Sequence, residues 1–321
     1  MVALYDALLP VVGLIAAGYL AGHRNWVDPD GARQLAALGF SLLCPALLFR
    51  TMGSMSLDLS ALTAVLGYLG AEALIFGAVA LILGRSDHAV VLAMTSTFGN
   101  TVMIGIPLIG LAFGEQGLVV LLAIVSAHSV LMLTVVTVSL EWLGRRSTGS
   151  ERPARVAAQA LRQAILHPIT LPILLGLAWG QTGWTLPPLL DRPLQWLGQA
   201  FSPIALLMVG ISLAHIVKRT RTAEPGADTR RQLLHRGLGF TFLKNLLHPL
   251  LAGLICLALG LRGLPVAVTV AAAALPIGAT VLIFAQRYRI GVDQATTAIA
   301  VSTFAALATL PVALTASAWL R

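Results

Sequence analysis

The sequence contains little charge. Only 11% of its 321 residues are Asp, Glu, Lys or Arg, and 57% are hydrophobic, whereas a soluble globular protein carries roughly 25% charged residues. Its mean hydropathy is +0.87. This composition excludes a soluble globular protein and predicts an all-α polytopic protein in the lipid bilayer, without a separate soluble domain.

Cysteine and catalytic motifs are also scarce. The two cysteines, Cys44 and Cys256, lie in apolar runs without a CxxC pattern, so neither a disulfide framework nor a zinc site is expected. The seven histidines do not cluster with metal-ligand spacing. No HExxH, GxSxG, P-loop or GxGxxG motif occurs. We therefore expect no metal, no cofactor and no enzymatic activity.

The positive balance of the chain has a topological explanation. A formal net charge of +8 would suggest a nucleic-acid partner in a soluble protein, but a membrane protein retains Lys and Arg on its cytoplasmic side. With both termini outside, 16 Lys and Arg residues fall in inside loops and four in outside segments. The sequence therefore predicts a protein of the cytoplasmic membrane with both termini outside and no nucleic-acid partner.

Ten apolar windows are long enough to cross the hydrocarbon core, which needs about 20 residues. We number them spans 1 to 10 in chain order. They cover residues 3–22, 33–51, 60–83, 88–114, 117–140, 165–181, 189–213, 237–259, 263–287 and 294–319.

Proline-containing segments recur half a chain apart. The segment around Pro10 in span 1 resembles the one around Pro172 in span 6, at an offset of 162 residues. The segment around Pro45 in span 2 resembles the one around Pro203 in span 7, at an offset of 158 residues. Because five spans is an odd number, a second half would enter from the opposite side, which predicts a 5+5 inverted repeat. Chance similarity between apolar segments is the alternative. The predicted domains are the first repeat, a cytoplasmic linker and the second repeat, at 1–143, 144–164 and 165–321.

Spans 4 and 9 carry prolines and small polar residues near their centres. A proline in mid-helix removes a hydrogen bond but suits the start of a new helix. We therefore expect two half-helices in each span, with the second halves beginning at Pro107 and Pro276. Ordinary kinked helices are the alternative. The candidate substrate-binding residues of the two spans are Thr97, Asn100, Thr101, Gly105, Pro107, Pro276, Gly278 and Thr280.

The predicted breaks have a chemical consequence. Spans 4 and 9 run in opposite directions, so the N-termini of their second halves would meet near the bilayer midplane. Free N–H groups and the helix dipole attract an anion there. Unwound backbone at this depth is tolerated only when it is buried or lines a cavity, which also favours a binding site.

Several segments together resemble the auxin efflux carrier family, which includes plant PIN-type auxin carriers and bacterial malate and malonate permeases. Each motif is short, but their order covers essentially the whole chain. The matching segments are Leu42 to Phe49, Asn100 to Leu108, Ser202-Pro203, Leu206 to Gly210, Ser212-Leu213, Lys244, Leu246 to Leu251, Ala285 to Tyr288, Ser302-Thr303 and Leu310-Pro311.

The resemblance implies a fold and a mechanism. It implies ten helices in the 5+5 inverted repeat of bile acid/sodium symporter-like proteins, with crossing helices in spans 4 and 9. Spans 1, 2, 6 and 7 would form a scaffold, which is also a candidate homodimer interface, and spans 3–5 and 8–10 a mobile transport domain. It further implies elevator-type transport of an organic anion. Val102 stands where family members often have Gly, and Thr280 lies near where many have Asn, so the resemblance extends to the fold and not to the fine geometry of the pocket.

Two ionisable residues lie inside spans. Glu72 in span 3 and Lys244 in span 8 each cost roughly 2.5 to 3.5 kcal/mol at a helix centre on insertion scales, so we expect both to face the protein interior. Lys244 could pair with Glu72, bind an anionic substrate or snorkel to the interface. Glu72 could carry a proton or act as a fixed counter-ion, and His128 could relay protons or hydrogen-bond a neighbouring helix.

The sequence thus predicts a secondary transporter for an organic anion, either a malate- or malonate-like carboxylate or an auxin-like one. An anion channel or a membrane sensor with the same broken-helix site is the alternative. Sodium coupling is less expected than proton coupling, because neither break contains Asp or Glu. Transport without coupling is also open.

Overall fold

The computed structural model describes residues 2–54, 59–84, 86–145, 153–222 and 229–318. Within these ranges the chain is helical, and its one β-bridge is isolated. In chain order the helices are α1 (Val2–His23), α2 (Pro29–Leu38), α3 (Cys44–Gly53), α4 (Leu59–Ile82), α5 (Asp87–Thr95), α6 (Ile106–Arg145), α7 (Pro153–Ile165), α8 (Thr170–Gly180), α9 (Pro188–Thr222), α10 (Arg230–Phe242), α11 (His248–Ala258), α12 (Leu264–Ala273), α13 (Thr280–Tyr288) and α14 (Val292–Ala318).

The helices confirm a polytopic membrane protein. In the described part of the chain, six helices are long and apolar enough to cross a membrane, and a seventh span forms if α7 and α8, bent by 64°, are taken together. Spans 4 and 9 are not continuous helices. The ten-span count and the inverted repeat remain predictions. Parts of two predicted cytoplasmic segments, 146–152 and 223–228, and Arg85 lie outside the described residues.

Three π-helical turns widen the helices just before prolines. They are Gly39–Leu43, Thr101–Gly105 and Leu243–Leu247, and in each case a proline follows two residues later. A proline ring clashes with the carbonyl four residues before it, and a wider turn relieves that clash. In the first and third turns, the residue before the proline donates its N–H to the carbonyl five residues back. The first and third turns therefore join α2 to α3 and α10 to α11 as continuous helices.

Glycines bring α1 and α9 into backbone contact. A Cβ on Gly18 would lie 2.1 Å from the Leu207 carbonyl oxygen, and one on Gly210 would lie 2.0 Å from that of Ile15. On the opposite side of the same group, α3 packs against α8, where a Cβ on Gly176 would lie 2.5 Å from the Phe49 oxygen. Only glycine permits these approaches, so the four helices form one closely packed unit.

A second group of helices packs around α4 and α11, and α10 and α13 pack on α14. A Cβ on Gly67 of α4 would lie 2.2 Å from the Cys256 sulfur of α11. Helix α12 packs on α4 and α6. Gly114, with φ of 68°, turns the chain inside α6 and separates the end of span 4 from span 5. Helix α7 lies within the predicted linker, so that segment contains regular structure.

Candidate functional site

Spans 4 and 9 are both broken, but their second halves start elsewhere than predicted. In span 4, α5 ends at Thr95 and the chain becomes helical again at Thr101, six residues before Pro107. In span 9, α12 ends at Ala273 and α13 begins at Thr280, four residues after Pro276. The predicted starts were therefore wrong. Pro107 follows the widened turn, whereas Pro276 lies in the extended segment between the half-helices.

The two extended segments cross and hydrogen-bond to each other. Gly99 and Ile277 form an antiparallel bridge. The Asn100 N–H donates to the Pro276 carbonyl at 2.8 Å, and the Gly278 N–H donates to the Phe98 carbonyl at 2.9 Å. Backbone groups that would be unpaired in the membrane are satisfied in this way. We call residues 96–100 and 274–279 the crossing.

Close packing and one hydroxyl hold the crossing in place. A Cβ on Gly278 would lie 2.9 Å from the Gly99 carbonyl oxygen, and one on Gly105 would lie 2.8 Å from a Leu275 methyl group. Ser302 of α14 accepts a hydrogen bond from the Ile277 N–H at 3.1 Å. Gly278 is therefore needed where it approaches the backbone of Gly99, and Gly105 where it approaches the side chain of Leu275.

Residues at the N-terminal ends of the second half-helices differ in their exposure and have no side-chain caps. Asn100 precedes the turn at Thr101, is partly exposed and makes no capping hydrogen bond with its side chain. Ala279 is exposed and Thr280 is half-buried at the start of α13, which also has no side-chain cap. Thr101 is buried. The hydroxyl of Thr97 instead donates to the Ala93 carbonyl of α5 at 3.2 Å, so Thr97 is turned away from these ends.

A buried ion-pairing contact lies between α4 and α6. His128 Nδ1 is 2.8 Å from Glu72 Oε2, and both side chains are buried. Tyr68, one helical turn before Glu72, packs edge-on against the His128 ring at 5.5 Å between centroids. The Tyr68 hydroxyl, Glu72 Oε1 and His128 Nε2 have no hydrogen-bond partner among the described residues. The cluster places ionisable and polar side chains inside membrane-spanning helices. Such residues are rare there and usually have a function.

Lys244 reaches the crossing from the π-helical turn between α10 and α11. Its side chain is fully buried, and its ammonium donates to the Ala273 carbonyl at 2.5 Å. The predicted interior position of Lys244 and Glu72 is thus confirmed. Their predicted ion pair is not formed, because His128 occupies the carboxylate of Glu72 and the ammonium bonds the end of α12. Burial of Lys244 also excludes the snorkelling alternative in this structure.

Sequence reasoning missed Tyr68, although a signal was present. Tyr68 precedes Glu72 by four residues, and Lys244 precedes His248 by four, so each pair shares one helix face. The rings of Tyr68 and His248 meet at 4.7 Å between centroids. These two pairs lie on spans 3 and 8, which the predicted repeat relates to each other. The shared spacing therefore predicts that the two pairs face each other and form one cluster.

Comparison with known proteins decides the family. A family model described as "Membrane transport protein" matches residues 3–314 of the chain. The chain belongs to this family. The match confirms the resemblance to the auxin efflux carrier family and identifies a transport protein, not an enzyme. A protein of Rhizobium meliloti (strain 1021) with the printed name "Putative malonate transporter" is 28% identical over 315 residues, which cover 94% of this chain and 92% of the relative.

Proposed function

We propose that this carrier is a secondary transporter of small carboxylate anions, and that the anion binds at the crossing between the N-terminal ends of the two second half-helices. The observation that carries the proposal is the pair of helix starts at Asn100-Thr101 and Ala279-Thr280, neither of which has a side-chain cap. All of these residues except the buried Thr101 are at least partly exposed. In α13 the N–H groups of Val281 and Leu282 already donate to the Gly278 and Ala279 carbonyls, so the donors offered to an anion are the N–H groups that precede them. Both helix starts also carry the positive end of a helix dipole. A carboxylate accepts hydrogen bonds from such N–H groups and is attracted by the positive end of a helix dipole.

Small dicarboxylates are the substrate class to test first. The relative named after malonate covers nearly the same length as this chain, so the two proteins share the whole architecture and not a fragment. A dicarboxylate has two anionic groups, and the crossing has two helix starts that can each accept one. Auxin-like carboxylates form the comparison class, because they carry one anionic group and a large apolar ring.

The packing of the helices supports an elevator-type transport cycle. We assign α1, α2–α3, α8 and α9 to a scaffold, because glycines fix their backbones against one another. The crossing, α4–α6 and α10–α14 belong to the moving domain. The packing of α1 on α9 and of α3 on α8 is the pair of contacts expected when spans 1 and 2 exchange places with spans 6 and 7. This supports a 5+5 inverted repeat and an elevator motion. The excess of Lys and Arg in the predicted inside loops supports a location in the cytoplasmic membrane with both termini outside.

A cavity supports the placement of the domain boundary. A cavity of about 240 Å³ lies between α1, α9 and α14 and also contacts Ile104 at the start of the second half of span 4. It separates the proposed scaffold from the proposed moving domain. A sliding motion of one domain past the other requires such loosely packed contact.

Substrate counterflow in proteoliposomes tests the function. Liposomes loaded with unlabelled malonate should accumulate labelled malonate faster than empty liposomes, and an auxin-like acid should compete only weakly. A channel would instead give a current that does not saturate with substrate concentration and no acceleration by internal substrate. That result would overturn the carrier.

Paired substitutions test the site. We expect Asn100→Ala and Thr101→Ala to reduce kcat/KM for uptake by roughly tenfold or more, because hydrogen bonds to charged groups contribute about 1.5–3 kcal/mol. Thr63→Ala is the matched control, since the Thr63 hydroxyl bonds the Leu59 carbonyl of its own helix and is exposed. Wild-type uptake by both Asn100→Ala and Thr101→Ala would remove the anion from this end of the crossing.

A further inference from the structure

The Lys244 ammonium occupies a defined position at the crossing. It lies in the π-helical turn at the centre of the continuous helix Arg230–Ala258. A Cβ placed on Gly99 would lie 3.1 Å from the ammonium nitrogen and 3.5 Å from the Tyr68 hydroxyl oxygen. The ammonium and this hydroxyl therefore flank the same point of the crossing, next to the Ala273 carbonyl that accepts from Lys244.

This position lies at the negative end of a half-helix. Ala273 is the last residue of α12, and the final carbonyls of a helix have no intrahelical donor and carry the negative end of its dipole. Gly99 follows the C-terminal end of α5, which approaches from the other half of the chain. In transporters with broken helices, half-helix C-terminal ends and unwound carbonyls are where a coupling cation binds.

The surroundings supply negative charge and unused oxygen atoms. Glu72 lies one helical turn after Tyr68 on α4 and supplies a carboxylate to the same buried cluster. Glu72 Oε1 and the Tyr68 hydroxyl are buried without a hydrogen-bond partner among the described residues. The rings of His128 of α6 and His248 of α11 pack against Tyr68, and both are buried. Oxygen atoms and a carboxylate around a buried point form the type of environment that a small cation requires.

We propose that the Lys244 ammonium is a built-in cation, which occupies the place of a coupling ion at the crossing and makes binding of Na⁺ there unnecessary. Because it is covalently attached, this cation stays beside the end of α12 and is not released to either side of the membrane. Its consequence for transport rests on the proposed function, whereas the cation site itself does not.

Thermal unfolding without substrate tests the cation site. Removal of the side chain in Lys244→Ala leaves the Ala273 carbonyl without its cation and opens space for a free one. We expect this variant to melt lower than wild type in choline chloride. NaCl or methylammonium chloride at equal ionic strength should raise its midpoint by about 2 °C or more, with saturation. Lys218→Ala, which removes the other lysine of the chain from an exposed position, should respond to no cation specifically.

Two results would overturn the proposal. One is a Lys244→Ala protein whose midpoint is the same in all three salts. The other is wild-type uptake that requires Na⁺, and this measurement does not depend on the folding of any variant. Lys244→Arg should keep Na⁺-independent behaviour, because it retains the charge. A cation-specific rise in Lys244→Ala supports the site even where wild type transports none of the acids tested, so the two failures are distinguishable.

Discussion

Gly278→Ala places a methyl group inside the crossing. The added Cβ would lie 2.9 Å from the Gly99 carbonyl oxygen, 3.1 Å from its carbon and 3.2 Å from a Phe98 ring carbon. Ordinary contacts of a carbon atom begin near 3.4 Å. Two of the three neighbours are backbone atoms of Gly99, which lies between the hydrogen-bonded Phe98 carbonyl and Asn100 N–H, so the crossing has to separate to admit the methyl group.

The cost follows from the contacts that are lost. Overpacking of this kind costs about 1–3 kcal/mol. Separation of the two extended segments also weakens the hydrogen bonds from the Asn100 N–H to the Pro276 carbonyl and from the Gly278 N–H to the Phe98 carbonyl. Each of these bonds contributes about 1 kcal/mol. The sum is about 3–5 kcal/mol. At roughly 2 °C for each kcal/mol in a chain of this size, the unfolding midpoint should fall by roughly 6–10 °C.

Thermal unfolding in detergent and malonate counterflow measure the two consequences. We expect Gly278→Ala to lower the midpoint and to reduce counterflow at least about tenfold, because the helix starts that hold the anion shift apart. Gly77→Ala is the control within a membrane helix. A Cβ on Gly77 meets nothing within 4 Å, and alanine is favoured over glycine in a helix by roughly 0.5–1 kcal/mol.

A Gly278→Ala protein with the midpoint and counterflow of wild type would refute this reasoning. It would mean that the backbone at the crossing yields by several tenths of an ångström without loss. The close approach of the two extended segments would then be neither a source of stability nor a determinant of the site.

Two further substitutions test other parts of the molecule. Gly210→Leu should prevent recovery of monodisperse protein in size-exclusion chromatography, because its Cβ would lie 2.0 Å from the Ile15 oxygen. Gly13→Leu, with nothing within 4 Å of its Cβ, should behave as wild type. Glu72→Gln should abolish uptake driven by an inward proton gradient while leaving malonate exchange at equal pH intact, since it keeps the contact with His128 but cannot carry a proton. Loss of both activities would make Glu72 a structural partner.

The broken spans could be predicted because their cause is local. Pro107 and Pro276 lie beside small polar residues in otherwise apolar windows, and mid-helix proline weakens a helix in any context. The true helix starts at Thr101 and Thr280 depend on hydrogen bonds between segments about half the chain apart. No local pattern contains that pairing, so the starts were misplaced.

The partner of Lys244 could not be predicted for a related reason. Hydropathy indicates that a buried lysine needs an acceptor, and Glu72 was the obvious acidic candidate. The ammonium instead bonds a main-chain oxygen, Ala273, and every residue carries such an oxygen. Identification of the right one requires the position of the end of α12 relative to α10 and α11.

The pairing at the crossing also sets an order of events during synthesis. Phe98 and Asn100 receive their backbone partners from Gly278 and Pro276, which leave the ribosome about 180 residues later. At a synthesis rate of roughly 5–20 residues per second, the segment at residues 96–100 has unpaired backbone groups for on the order of 10 to 40 s. An unpaired peptide group is costly in hydrocarbon. The first half of the protein must therefore remain hydrated or shielded until the second half arrives, and neither half reaches its final structure alone.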